Sequence, residues 1–120
     1  MTEQEIRSRV KAVLDTIVPS AGGMAGVPVD TGRLVSSIKI RQTDYGFDVY
    51  IDTGGMTLEQ WYNTPEEQRP SGVAPYAGKV NEQNPFWRRL AVLIHDRLRA
   101  ELGGEFTTNY DSGRTMRGDL

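Results

Sequence analysis

The stretch IKIRQTDYGFDVYID, Ile38–Asp52, decides the fold class. In its first half, isoleucines alternate with Lys39 and Arg41, and in its second half three large apolar residues again alternate with other side chains. A period of two indicates β-strands with one apolar face. The intervening Thr43–Gly46 has the composition of a turn. The stretch therefore predicts a β-hairpin with one buried face and one solvent-facing side.

Amphipathic helices are predicted on both sides of this hairpin. Thr2 and Glu5 have capping-box spacing, and the apolar residues that follow recur at steps of three and four: Ile6, Val10, Val13, Leu14, Ile17 and Val18. Near the other end, Asn84 is a suitable N-cap and Pro85 suits the first helical position. A second apolar stripe then runs to the stop signal at Gly103-Gly104, through Phe86, Leu90, Leu93, Ile94, Leu98 and Leu102.

Two remaining segments lack a clear period. We expect residues 53–84 to form a long central loop whose large apolar side chains pack locally or contact a partner. The last residues, EFTTNYDSGRTMRGDL, are polar and contain glycine, which predicts a flexible arm that orders against a neighbour. The prediction is one α+β domain over residues 1–104, with a small antiparallel sheet packed against the two helices, and an extended C-terminal arm over residues 105–120.

Composition narrows the function classes. The 120 residues hold no cysteine, which excludes disulfides and cysteine-ligated metals, and no metal or other cofactor is expected. The net charge of −2 argues against specific nucleic-acid binding, which favours basic surfaces. The charged N-terminus lacks a signal-peptide pattern and no apolar run is long enough for a membrane span, so we expect synthesis in the cytoplasm and no membrane partner.

The tripeptide Asp-Thr-Gly occurs twice, at Asp30 and at Asp52, and raises the alternative of an aspartic protease. That chemistry needs two carboxylates about 3 Å apart, and one hairpin between the two leaves no room for two lobes. A dimeric protease of the retroviral type is the remaining version, and Arg33 and the two predicted helices disfavour it. The structural interpretation is that Asp30 N-caps a short helical turn, Thr31–Ser37, and that Asp52 ends a strand.

Other catalytic signals are weak, so no catalytic residue is assigned. The single histidine, His95, adjoins Asp96 in the predicted last helix, where successive side chains diverge by about 100°. The Arg117-Gly118-Asp119 sequence matches an adhesion tripeptide too short to carry weight.

The order of the pieces resembles the neck or tail-completion proteins of tailed bacteriophages, a family of small head–tail joining proteins. Their pattern P-V-D-T-G-x-L-x-x-S-I is similar to Pro28–Ile38 here, with Asp30, Thr31, Gly32, Leu34 and Ile38 in place. Their Y-A-x-x-V-E pattern is similar to the stretch with Tyr76 and Val80, and their P-F to Pro85-Phe86. Asn81 stands where the family usually has Glu, and Gln83 where a Gly is common.

The resemblance implies a structural virion protein that forms a ring at the head–tail junction and does no chemistry. Its implied partners are further copies of itself and the neighbouring neck, connector, and tail-tube or terminator proteins, with genome DNA passing through the ring. A tail terminator or stopper ring at the same junction is the alternative. The candidate contacts come from the central loop, the last helix and the tail: Met56, Leu58, Trp61, Tyr62, Trp87, Phe106 and Tyr110.

Overall fold

A computed structural model of the chain describes residues 1–29, 32–104, 106–111 and 114–120. Its helices are α1 (Glu3–Ile17), α2 (Ala21–Ala25), α3 (Arg33–Ser36), α4 (Leu58–Asn63), α5 (Ala77–Gln83) and α6 (Phe86–Leu102), with 3₁₀ turns at Val18–Ser20 and Glu66–Gln68. Its strands are β1 (Ile38–Gln42), β2 (Gly46–Ile51), β3 (Thr107–Tyr110) and β4 (Thr115–Asp119). The strands form an antiparallel sheet in the order β1-β2-β4-β3, which confirms the α+β class.

The predicted hairpin is confirmed. β1 pairs with β2 so that Ile38 lies opposite Ile51 and Gln42 opposite Phe47. The alternate apolar side chains of both strands face the helices, as the period of two requires. Arg7 of α1 holds the turn of the hairpin, because its guanidinium donates to the carbonyl of Thr43 at 2.8 Å and to that of Asp44 at 2.9 Å.

The long helices follow the predicted stripes, with one difference at a cap. The Thr2 hydroxyl accepts a hydrogen bond from the Glu5 amide, which confirms the start of α1. The last helix, α6, begins at Phe86, and its first turn is capped by Asn81, whose side-chain oxygen accepts from the Trp87 amide at 3.1 Å. The predicted cap at Asn84 is therefore wrong, because the side-chain cap comes from Asn81, three residues earlier and within α5. No helix within the described ranges is long and apolar enough to cross a membrane.

The C-terminal residues are not a flexible arm where the structure describes them. β4 lies between β2 and β3, and Met116 faces Val49 in the core with no exposed surface. The prediction failed because β4 contains a single large apolar residue, which is too little for a periodic signal. The predicted boundary at residue 104 therefore does not divide a folded domain from an arm, because β3 and β4 belong to the same sheet as the hairpin.

The central segment is also more ordered than a loop. A capping box at Thr57 and Gln60 starts α4, with the Gln60 amide donating to the Thr57 hydroxyl and the Thr57 amide to the Gln60 side chain. Further along, the Ala74 amide donates to the Asp52 carbonyl at 2.8 Å. The segment thus leaves the end of β2 and returns to it, which places α4 and α5 beside the Ile38–Ile51 end of the hairpin.

Gly118 is required by the packing of the sheet. It lies opposite Phe47, and a Cβ added to it would lie 2.2 Å from the Phe47 ring, well inside contact distance. Only glycine lets β4 approach β2 with the Phe47 ring between the sheet and the helices. The central residue of the Arg-Gly-Asp tripeptide is therefore a packing residue in a strand.

We expect Gly118→Ala to destabilise the fold by about 1–3 kcal/mol or more, since overpacking in a tight core costs that much. The reason is the clash between the new methyl group and the Phe47 ring. Urea unfolding followed by tryptophan fluorescence measures the change. Gly23→Ala is the control, because nothing lies within 4 Å of its added Cβ, and it should be neutral or slightly stabilising. Equal stability of the two variants would contradict the assignment.

Candidate binding surface

A groove of about 330 Å³ lies where three separate segments of the chain meet, at the start of α3, at α4 and at α5. We call it the basic–aromatic groove, and it is formed chiefly by Arg33, Trp61, Tyr62, Arg69, Tyr76 and Lys79. Three of these side chains are cations, and the described residues lining the groove include no carboxylate. The chain as a whole carries a net charge of −2, so positive charge is concentrated here against the general balance.

Trp61 forms the floor of the groove and is only 3% exposed. Its ring lies 5.4 Å from that of Tyr76, and the Arg69 guanidinium lies 4.9 Å from its centroid. The Arg69 Nε also donates to the carbonyls of Trp61 and Thr64, each at 3.1 Å. Arg69 thus closes the end of α4 and stacks on the indole, and Arg33 lies over the same indole at 5.5 Å.

The rim of the groove is accessible. Tyr62 is 57% exposed, and the Lys79 ammonium lies 5.9 Å from its ring. An aromatic ring and an ammonium on a rim above a stacked tryptophan suit a partner that brings carboxylates together with apolar side chains. Tyrosine and arginine are the residue types that most often anchor protein interfaces.

The residues of the sequence patterns divide between this groove and the core. Gly32, Leu34, Tyr76 and Val80 line the groove, although they come from two patterns far apart in the chain. Leu34 is also a core residue, at 4% exposed. The others are Ile38 and Phe86, which are buried, and Pro85, the residue before α6. Asp30 and Thr31 lie outside the described residues. The predicted helical turn Thr31–Ser37 is corrected at its start, because α3 begins at Arg33 and Gly32 occupies the N-cap position with no side-chain cap bond.

The predicted contact residues differ in exposure. Tyr62 and Tyr110 are exposed, whereas Met56, Leu58 and Phe106 are half-buried. Trp61 and Trp87 are buried, the latter completely and in edge-to-face contact with Phe86. The expectation of a partner contact is corrected for Trp87, because packing within the chain buries its indole completely, whereas Trp61 is buried but lines the groove.

A second polar surface covers the solvent-facing side of the sheet and centres on Asp48, which is only 5% exposed. Its carboxylate accepts from the Tyr45 hydroxyl at 2.6 Å and from Arg41 at 2.9 Å. The Arg117 guanidinium lies 3.6 Å from the centroid of the Tyr45 ring. The hydrogen bond to Asp48 raises the pKa of Tyr45, and an equivalent bond raises the pKa of Arg41.

The candidate catalytic residues have structural roles in the described chain. One Asp52 oxygen accepts from the Gly54 amide at 2.8 Å in the turn after β2. His95 lies 2.9 Å from the Thr108 hydroxyl and 4.9 Å from the Phe106 ring, which joins α6 to β3. No group of three metal-binding side chains occurs in the part of the chain that the structure describes.

The sequence patterns missed the residues that shape both surfaces. Arg69 and Lys79 lie in the segment that lacks a period, and Asp48 lies on the polar side of a strand. The position of Arg69 between Trp61, Tyr62 and Tyr76 was the sequence signal that could have indicated a contact between its guanidinium and an aromatic ring.

Comparison with known proteins adds no relationship: no protein-family model, no curated protein and no solved structure matches the chain.

We expect Arg69→Ala to lower the free energy of unfolding by about 1–3 kcal/mol, because hydrogen bonds to a charged group contribute on that scale. The variant loses both bonds to the end of α4 and uncovers the Trp61 indole. Denaturant unfolding followed by tryptophan fluorescence measures it. Lys79→Ala is the matched control from the same groove and should change stability by less than about 0.5 kcal/mol. A result with the two variants reversed would refute this role for Arg69.

Tyr45 should titrate above the ordinary tyrosine value in an alkaline absorbance titration, because the hydrogen bond to Asp48 raises its pKa. The folded-state pKa exceeds that of the unfolded chain, so this bond stabilises the fold below the unfolded value. The stabilisation is lost as pH rises through the folded value. Tyr45→Phe should remove the absorbance change that lies above the ordinary tyrosine value. Persistence of that change in the variant would assign it to another of the five tyrosines.

Proposed function

We propose that this chain is a structural subunit of a tailed bacteriophage, part of a ring at the head–tail junction that joins the tail to the connector. The order of motifs from Pro28 to Phe86 supports this role. One structural observation carries it furthest: residues of two of these motifs, far apart in the chain, line the same basic–aromatic groove. Leu34 also belongs to the core and Tyr76 and Val80 pack against it, so the same residues both support the fold and shape the groove that we propose for a partner.

The groove supports docking to a protein in particular. Its floor is held by Arg69 and Tyr76, so it is pre-formed, and pre-formed pockets reduce the entropic cost of binding. Its rim carries Tyr62 and Lys79. The partner that fits is a protein segment with carboxylates and apolar side chains, such as one from a neighbouring ring of the junction.

The role is tested by interrupting the gene in the source phage and imaging the lysate by electron microscopy. We expect filled heads lying apart from finished tails. Over-long tails would instead indicate a tail terminator at the same junction. Normal infectious particles would sink the proposal.

Complementation with variants then tests the groove. Tyr62→Ser with Lys79→Glu should leave the fold intact and fail to restore infectious particles, since an interface anchor contributes about 2 kcal/mol or more per contact. Val92→Ser is the control, because Val92 is another exposed apolar residue, on α6 and outside the groove-lining set. Restoration by both variants would show that the groove is not the contact.

A further inference from the structure

The sheet has two edges whose outward main-chain groups have no partner in the described ranges. Along an antiparallel strand, successive residues point their main-chain groups alternately toward the paired strand and away from it. The Asp111 amide at the end of β3 donates to the Thr115 carbonyl, so Asp111 and Asn109 point toward β4. Thr108 and Tyr110 therefore point their amides and carbonyls away from β4. In β1, the paired bonds between Thr43 and Gly46 set the same alternation, so that Ile40 and Gln42 point away from β2.

The two edges match in strand direction and in the side of the sheet on which their outward residues place their side chains. Neighbouring strands of this sheet are all antiparallel and the described sheet has four, so β1 and β3 run in opposite directions. A second copy placed beside the first in the same orientation brings its β1 antiparallel to β3. The outward residues of both edges also carry their side chains on the helix side of the sheet. Thr108 contacts His95 of α6 there, and Ile40 lies opposite Val49.

We propose that β1 of one copy pairs with β3 of the next, with Ile40 opposite Tyr110, so that the sheet continues from copy to copy. On the solvent side this register sets Arg41 opposite Asn109 and Lys39 opposite Asp111. The last pair is an ion pair between unlike charges. A shift of two residues in one direction sets Lys39 opposite Asn109 and loses it. A shift in the other direction sets Arg41 opposite Asp111 but moves Ile40 away from Tyr110.

The charges and exposure of the edges favour this pairing over the alternatives. β3 carries no charged residue and no proline, the usual means by which natural edge strands avoid pairing. β1 carries Lys39 and Arg41, so two β1 edges would repel each other, whereas β1 against β3 meets no like charge. Tyr110 is 47% exposed, and pairing would cover its ring with Ile40.

Pairing of unlike edges is heterologous, so repetition gives a closed ring or an open filament. The closure into a ring rests on the proposed function above, whereas the pairing itself rests only on the sheet.

Introduced cysteines test the pairing and its register, because the natural chain contains none. In this register Arg41 and Asn109 form a non-hydrogen-bonded pair, whose Cα atoms lie about 4.5 Å apart, within reach of a disulfide. The purified double variant Arg41→Cys/Asn109→Cys is oxidised at millimolar concentration and run on a denaturing gel. The matched control is Arg41→Cys/Thr107→Cys, in which the second cysteine lies two residues along the same face of β3.

We expect the first double variant to lose most of its monomer band to a ladder of dimers, trimers and longer species, and the control to remain mostly monomeric. Circular dichroism confirms that both are folded. Absence of the ladder, or equal ladders in both, would overturn the pairing or its register. Dimers from Asn109→Cys alone, as abundant as the ladder, would overturn it in favour of β3 with β3.

The two proposals fail separately. Separated heads and tails in the interrupted phage without any ladder would leave the junction role standing and remove the edge pairing. A ladder together with normal infectious particles would leave the edge pairing standing and remove the junction role.

Discussion

The contact between the Phe47 ring and the backbone of Gly118 is the constraint on which the rest of the structure depends. The ring is buried between β2 and the helices, and its edge occupies the space that a side chain at position 118 would need. β4 can therefore lie next to β2 only because it has glycine there. This placement makes β2 and β4 the central strands, leaves β1 and β3 as the edges, and completes the core with Met116.

The same strand order gives the sheet its polar side. With β2 in the middle, Asp48 can reach Arg41 on β1 and the Tyr45 hydroxyl at the turn, while Arg117 of β4 stacks on the Tyr45 ring. The Asp48 carboxylate thus joins β1, β2 and the turn, and the Tyr45 ring extends this contact to β4 on the side away from the helices. Arg41 and Tyr45 supply hydrogen bonds to the Asp48 carboxylate. The solvent-facing side of the sheet therefore contains a buried charge that is paired, and an unpaired one would be strongly destabilising.

Much of the fold could be predicted from periodicity, and the failures have physical reasons. The hairpin and the two long helices carry strong apolar repeats, and all three are confirmed. The final strand carries one apolar residue, Met116, and a glycine that suggests a loop, so its pairing with β2, which is far away in the sequence, could not be predicted. The groove could be predicted only in part. Its aromatic residues were recognisable, but the bonds of Arg69 run to backbone carbonyls, which have no signature in a sequence.

The two surfaces proposed for binding are built by different elements of the chain. The basic–aromatic groove is built by α3, α4 and α5, which the bond between Ala74 and Asp52 holds at the Ile38–Ile51 end of the hairpin. The two edges are the outer strands β1 and β3, which lie on opposite sides of the sheet. Copies joined through their edges would keep every groove open at one end of the assembly. The proposed junction role would use such a separation, because a ring subunit contacts its own kind sideways and a different protein along the axis. The charges differ in the same way: in the proposed pairing the edges would meet through main-chain bonds and one ion pair, whereas the groove carries cations and aromatic rings.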